Sequence, residues 1–254
     1  NIGIRLNPNT DAKTLKQIST GKKENKFGVS EKVFLNLVNN ISGSKFLKLK
    51  CLSVHIGSQI LNYKPYEKML KVIQKVIDKS KINFEYIDLD GGMGIDYEKN
   101  KKKLNYAKYS LNIQKFINRN NSKIIFEPGR SIIANAGYLI SKVIYIKKGE
   151  KKDFIIIDAA MNDLIRPALY NAKHQIIPVK KSKIRNNKIY EFVGPICEST
   201  DKFSTLKKFQ KLKEKDLIVI CDVGAYGMSL SSNYNLRPKP AELLIEKSKV
   251  KVTL

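Results

Sequence analysis

Across residues 1–129, short apolar runs alternate with segments of helical length. The runs are "NIGIRLNP" (1–8), "LKCLSVHIG" (49–57), "FEYIDLDGG" (84–92) and "KIIFEPG" (123–129), and each ends in proline or glycine. Between them, 30–40 starts with Ser30 as a helix cap and sets Val33, Phe34, Leu37 and Val38 at helical spacing. In 66–80, Met69, Leu70, Ile73, Val76 and Ile77 share one helical face, and 104–119 is helical again. This repetition predicts consecutive βα units, and so a parallel sheet or barrel. Residues with chemical capability gather where the strands end: Asn7, His55 and Ser58, Asp90 to Gly92, and Glu127 to Arg130. In α/β barrels the loops after the strands build the active site.

After about residue 137 the rhythm changes. "GYLISKVIYIKK", "KDFIIIDAAM", "KIYEFVGPIC" and "DLIVICDVGAY" read as strands with little helix between them. The expected division is an α/β domain over 1–136 and a mostly β domain over 137–254. The Lys- and Asn-rich piece "VKKSKIRNNK" (179–188) is expected to be a surface hairpin loop. No internal repeat at solenoid periods is present.

Composition narrows the function classes. No run of eighteen apolar residues predicts a membrane helix, and the first residues do not form a signal peptide. The chain lacks an initiator Met and opens on a strand, so it is expected to start inside a longer protein. Cys51, Cys197 and Cys221 are an odd, scattered set, which suits a reducing cytoplasm better than a disulfide framework. No CxxC or HxxxH spacing suggests a metal. The net charge of +25 raises nucleic-acid binding. However, the excess is mostly Lys spread along the whole chain, without the aromatic interleaving of single-strand readers, and is read as a solvated surface. Arginine is rare, with only Arg5, Arg119, Arg130, Arg166, Arg185 and Arg237. In a chain so rich in Lys, a retained Arg marks a need for the planar fork that binds carboxylate or phosphate.

Gly91-Gly92 and Pro128-Gly129-Arg130 are glycine turns after successive strands. Glycine permits close backbone approach, and adjacent N–H groups there make an anion nest. His55 ends a strand with Ser58 close by, and Glu127 at its strand end could hold a protonated ring nitrogen. The plainer alternatives are a structural histidine and a Glu127–Arg130 surface pair.

Together, "ISTGKKENKFGVS" (18–30), "VHIGSQ", "DLDGGMGIDY", "FEPGRSIIANAG", "RPALY", "GPICESTD" and "DVGAYGMS" resemble, in order and spacing, the diaminopimelate decarboxylase family. These are pyridoxal-phosphate enzymes with alanine-racemase-like barrels, a class that includes ornithine and arginine decarboxylases. The resemblance spans nearly the whole chain. It implies an α/β plus all-β fold: the C-terminal half of a (β/α)8 TIM barrel, strands five to eight, followed by a β-sandwich or barrel-like domain. It implies that His55 stacks on the cofactor ring, and that Ser58, Gly92, the Gly129-Arg130 backbone and Tyr226 hold the phosphate. Glu127 would pair with the pyridinium nitrogen. Arg130, Arg166 and Tyr170, with Tyr226 nearby, would bind substrate carboxylate, and Glu198 the distal amino group. Cys197 would donate the proton after carbon dioxide leaves, from a Cys-Glu pair reaching into the partner subunit of a homodimer.

The implied reaction is decarboxylation of meso-2,6-diaminopimelate to L-lysine. The alternatives are decarboxylation of ornithine, arginine or carboxynorspermidine, or a non-catalytic homologue that binds a partner. Glu198 stands where the family's ornithine enzymes carry Asp, which favours diaminopimelate. Two departures stand out. Asp90-Gly91-Gly92 replaces the family's three glycines. The family's Schiff-base Lys, in a Tyr-Ala-x-Lys-Ala strand, has no counterpart in these residues. The chain is thus expected to begin at the fifth barrel strand and to be inactive alone.

Overall fold

The computed structural model describes residues 1–12, 14 and 18–253. The chain forms two compact units, Asn1–Ile132 and the residues from Ile133 onward.

The first unit is a four-stranded parallel sheet in the order β1-β2-β3-β4, made of β1 (Ile2–Arg5), β2 (Leu49–Ser53), β3 (Tyr86–Asp88) and β4 (Lys123–Ile125). Sequential order with parallel pairing demands a crossover after each strand. Three helices supply it: α1 (Glu31–Ser42), α2 (Lys64–Ser80) and α3 (Tyr106–Asn120). Ser30 caps α1 by accepting from the Val33 N–H, as its position predicted. Asn105 does the same for α3 through the Lys108 N–H, while α2 carries Pro65 in its first turn. The predicted face of α2, from Met69 to Ile77, is buried. It packs with Phe34 and Val38 of α1, Ile113 and Phe116 of α3, and Leu52 and Ile87 of the sheet in one core.

Strand alternation then decides what the other face carries. Leu52, Val54 and Ile56 are buried in the helix-covered core, as are Ile87 and Leu89. Residues of the opposite parity are Cys51, Ser53 and His55 after β1's Arg5, then Asp88 and Asp90, then Glu127. The polar positions along these runs therefore form a single charged stripe across four strands. The strands are shorter than their apolar runs, but single bonds continue the ladder: Val54 N–H to Asp88 O at 2.9 Å, Leu89 N–H to Ile125 O at 3.0 Å and Glu127 N–H to Asp90 O at 2.9 Å.

α4 (Arg130–Ile133) and a 3-10 turn (Ala134–Ala136) lead the chain into the second unit. Its main sheet has six strands in the order β7-β10-β5-β6-β8-β9: β5 (Tyr138–Lys147), β6 (Lys152–Ile157), β7 (Ile176–Pro178), β8 (Ile189–Val193), β9 (Lys202–Leu206) and β10 (Leu217–Cys221). All pairings are antiparallel except β6 with β8. The helix α5 (Arg166–Tyr170) follows β6, and β11 (Glu242–Glu246) and β12 (Lys249–Thr253) form a separate hairpin. Residues 179–188 do not close a hairpin, contrary to expectation. They join β7, which pairs with β10, to β8, which pairs with β6 and β9. Local composition marked a loop, but the strand partners are chosen across the sheet.

Two acids on β6 and β8 make this unit sensitive to acid. Asp153 meets Lys148 at 2.9 Å, and Glu191 meets Lys152 at 2.7 Å and Lys202 at 3.0 Å. Burial pushes both carboxyls up, but the lysines outweigh it and hold both below the usual range. A depressed native pKa adds stability above the unfolded value near ~4, and that stability is lost as pH falls through the native one. Urea unfolding between about pH 6 and 2.5 is therefore expected to weaken steadily, and less steeply in Asp153→Asn. An unchanged acid slope in that variant would contradict the assignment.

Among the described residues, no helix is long and apolar enough to cross a membrane, and no His, Cys, Asp and Glu cluster is arranged to hold a metal.

Candidate active site

In the first unit, the ends of β2, β3 and β4 interlock. Ile60 N–H donates to Gly92 O at 2.9 Å, and Gly94 N–H returns to Ile60 O at 3.1 Å, which fastens the loop carrying Ser58 to the glycine loop. Tyr66, buried on α2, donates its hydroxyl to Gly91 O at 3.1 Å. Burial raises this phenol far above its ordinary value, so it remains a donor. A Cβ on Gly91 would stand 2.3 Å from Glu127 O, so the β3 and β4 loops touch through backbone alone.

This interlocking brings His55, Ser58, Gly92 and Glu127 to one end of the sheet. His55 Nδ1 lies 3.1 Å from Asp90 Oδ1. Glu127 is exposed, and the negative charges of Asp88 and then Asp90 raise its carboxyl above the usual range. His55 and Arg5 oppose that rise without cancelling it. The Arg130 side chain turns away from the surface: it is buried and donates to Tyr97 Oη at 2.8 Å. Among the described residues, no hydrogen bond within the chain uses the N–H of Gly92 or Gly129.

In the second unit, Arg166 opens α5, buried, with Nη1 2.9 Å from His174 Nε2. His174 Nδ1 lies 2.9 Å from Cys221 O. A carbonyl can only accept, so Nδ1 carries the proton and Nε2 receives the guanidinium N–H. Tyr170 closes the same helix, half-buried. Cys197 and Glu198 are exposed on the 194–201 loop. Glu198 accepts from Tyr234 Oη and, at 3.2 Å, from Thr200 Oγ1. Tyr226 is 46% exposed, in the left-handed backbone region at φ 58°.

The sequence reading missed His174, Tyr97, Tyr234 and above all Asp201. The Asp201 carboxylate is buried and accepts the Ile196 N–H at 2.8 Å and the Met161 N–H at 2.7 Å. It closes the loop that presents Cys197, and Gly194 is required beside it, since a Cβ there would lie 2.3 Å from Asp201 Oδ2. Burial nonetheless pushes the Asp201 carboxyl up. The signal for it was present in "GPICESTD", where an acid follows the Cys-Glu pair. Asp201→Ala strands the buried Ile196 N–H and the half-buried Met161 N–H and is expected to cost about 2–4 kcal/mol, read by urea unfolding. A loss under about 1 kcal/mol would show that the clasp is dispensable.

A model of the pyridoxal-dependent decarboxylase C-terminal sheet domain matches residues 27–224. The chain is 44% identical to diaminopimelate decarboxylase of Helicobacter pylori, over 99% of this chain and 62% of the relative. It is 39% identical to that of Aquifex aeolicus, over 99% of this chain and 60% of the relative. The crystal structure of the Helicobacter pylori enzyme complexed with L-lysine matches with a TM-score of 0.90 at 42% identity, over 99% of this chain and 63% of that one. The chain thus spans about three fifths of the length of the relatives it matches. With a four-stranded parallel sheet, a β unit following it in the chain and a family match running through both, the chain belongs to the pyridoxal-dependent decarboxylases.

Proposed function

We propose that this chain works within a cytoplasmic, homodimeric diaminopimelate decarboxylase that converts meso-2,6-diaminopimelate to L-lysine. The observation that carries this reading is the end of the first unit's sheet. There, among the described residues, His55, Glu127 and two glycine N–H groups not spent within the chain follow the ends of three adjacent parallel strands.

These residues fit pyridoxal phosphate. The Gly92 and Gly129 N–H groups and the Ser58 hydroxyl, all in the first unit, are donors for a phosphate. Glu127 sits beside two other carboxylates and gains from a cationic N–H partner. When bound, the cofactor supplies an electron sink for the pair left as carbon dioxide departs. His55 shields one face of the ring. Arg166, a cation held by His174, takes substrate carboxylate with Tyr170, and the resemblance gives Arg130 the same role. Glu198 takes the distal ammonium, and the Cys197 thiol donates the proton to the substrate carbon from the partner subunit's side of the site.

The test is the full-length gene product, supplied with cofactor and assayed on diaminopimelate, ornithine, arginine, lysine and carboxynorspermidine. L-lysine and carbon dioxide are expected from diaminopimelate only, and no turnover from the 254-residue chain alone. Turnover of ornithine without diaminopimelate would overturn the substrate assignment. No turnover of any of these by the full-length product would point to the non-catalytic alternative.

A further inference from the structure

Asp90 is the residue at this site that the resemblance does not account for. It stands in the left-handed region at φ 54°, a conformation Asp tolerates better than most residues. It also joins all three strand ends. Its N–H donates to Asp88 Oδ1 at 2.8 Å, its Oδ1 accepts the Gly91 N–H at 2.6 Å, and its carbonyl accepts the Glu127 N–H. The same Oδ1 faces His55 Nδ1 at 3.1 Å, with the two side chains 16% and 22% exposed.

We propose that Asp90 is a positioning residue that fixes the His55 ring with its proton on Nδ1 and Nε2 left as the acceptor. A carboxylate has no proton to give, so the imidazole atom facing it must carry one. In a histidine, the bond made by one nitrogen decides which nitrogen holds the proton. The other charged groups nearby do not take this role. Asp88 is occupied by the Asp90 N–H and by Ser53 Oγ at 3.1 Å, while Arg5 and Glu127 act on the pair only through their charge. The Asp90 carboxyl is pushed up by burial, but His55, the Gly91 N–H and Arg5 bring it below its usual range, so it stays an anion. The His55–Asp90 pair also biases the ring's orientation. This consequence rests on the proposed role of His55 against the cofactor, because a shielding ring must not rotate about its Cβ–Cγ bond.

The sample is the full-length, cofactor-free protein, with the His55 signals assigned by their loss in His55→Gln. Long-range proton–nitrogen NMR with 15N-labelled histidine, at a pH where imidazole is neutral, reports which nitrogen bears the proton. His55 is expected in the Nδ1–H form, and Asp90→Gly is expected to move its proton to Nε2. His174, tied to Cys221 O in the second unit, should be unchanged and serves as the reference for an Nδ1–H ring, while helical circular dichroism reports folding of the unit that carries His55. An Nε2–H pattern for His55 in the wild type, or an unaltered Nδ1–H pattern in Asp90→Gly, overturns the proposal. If the variant loses its helical signal, the wild-type spectrum decides alone. No cofactor or activity enters the measurement, so its outcome is independent of whether the decarboxylase reading holds.

Discussion

Replacing Glu127 by Gln in the full-length protein is expected to lower kcat for decarboxylation by about 100- to 1,000-fold, the usual cost of removing one preorganised electrostatic partner. The substitution keeps the shape and loses the charge. The argument starts from charge crowding at one sheet end, where Asp88 and Asp90 raise the Glu127 carboxyl above its ordinary range. A carboxylate in that field has an increased affinity for a proton or for a cationic N–H, which is what a ring nitrogen must be offered if it is to stay protonated. Glu127 is exposed and its backbone is fixed by the Asp90 carbonyl, so little else depends on its side chain. Steady-state kinetics should show the loss in kcat with KM little changed, together with an altered absorbance of the bound cofactor. A Gln variant within about threefold of wild type would remove Glu127 from the proposed role.

The second large effect is structural. Gly92→Ala is expected to destabilise the first unit by about 3 kcal/mol or more, from left-handed backbone strain and the loss of loop hydrogen bonds. Gly92 has φ 83°, and a Cβ there would lie 2.2 Å from Gly57 O. That oxygen is backbone and cannot swing aside as a side chain would. Relief requires parting the two loops, which breaks the Ile60–Gly92 and Gly94–Ile60 bonds and displaces the Gly92 N–H from the proposed phosphate nest. The long helices α1, α2 and α3 all lie in this unit, so helical circular dichroism in urea reports its unfolding. Gly43→Ala is the control, because nothing lies within 4 Å of a Cβ at that position. Equal midpoints for the two variants would contradict the interlocked-loop account.

Much of the first unit was legible in the sequence because its signals are local. The buried face of α2 follows from a period of 3.6 residues, and Ser30 caps α1 through a bond to a residue three positions on. A parallel sheet or barrel followed from repeated βα units, and the half-barrel and the family from the resemblance of motifs that kept their order. The second unit was less legible. Its strands were recognisable in part, but β7, β9 and the β11–β12 hairpin went unassigned, and the expected 179–188 hairpin was wrong about its partners. Strand pairing in a mixed sheet is set by packing between distant segments, and composition does not encode it.

By itself, then, the sequence singled out the candidates: His55, Glu127, Arg130 and Arg166 by type and place, and Cys197 and Glu198 by the family resemblance. Only the tertiary structure decided what each one touches. Asp90 reaches His55 across 35 positions of chain because parallel pairing aligns the ends of β2 and β3. Arg166 is held by His174, which is itself fixed by Cys221, 47 positions away. Asp201 closes onto Met161 from 40 positions away. Each of these partners is selected by strand register and loop closure, which depend on the whole packed core, whereas a side chain's chemical capability is fixed by the residue alone.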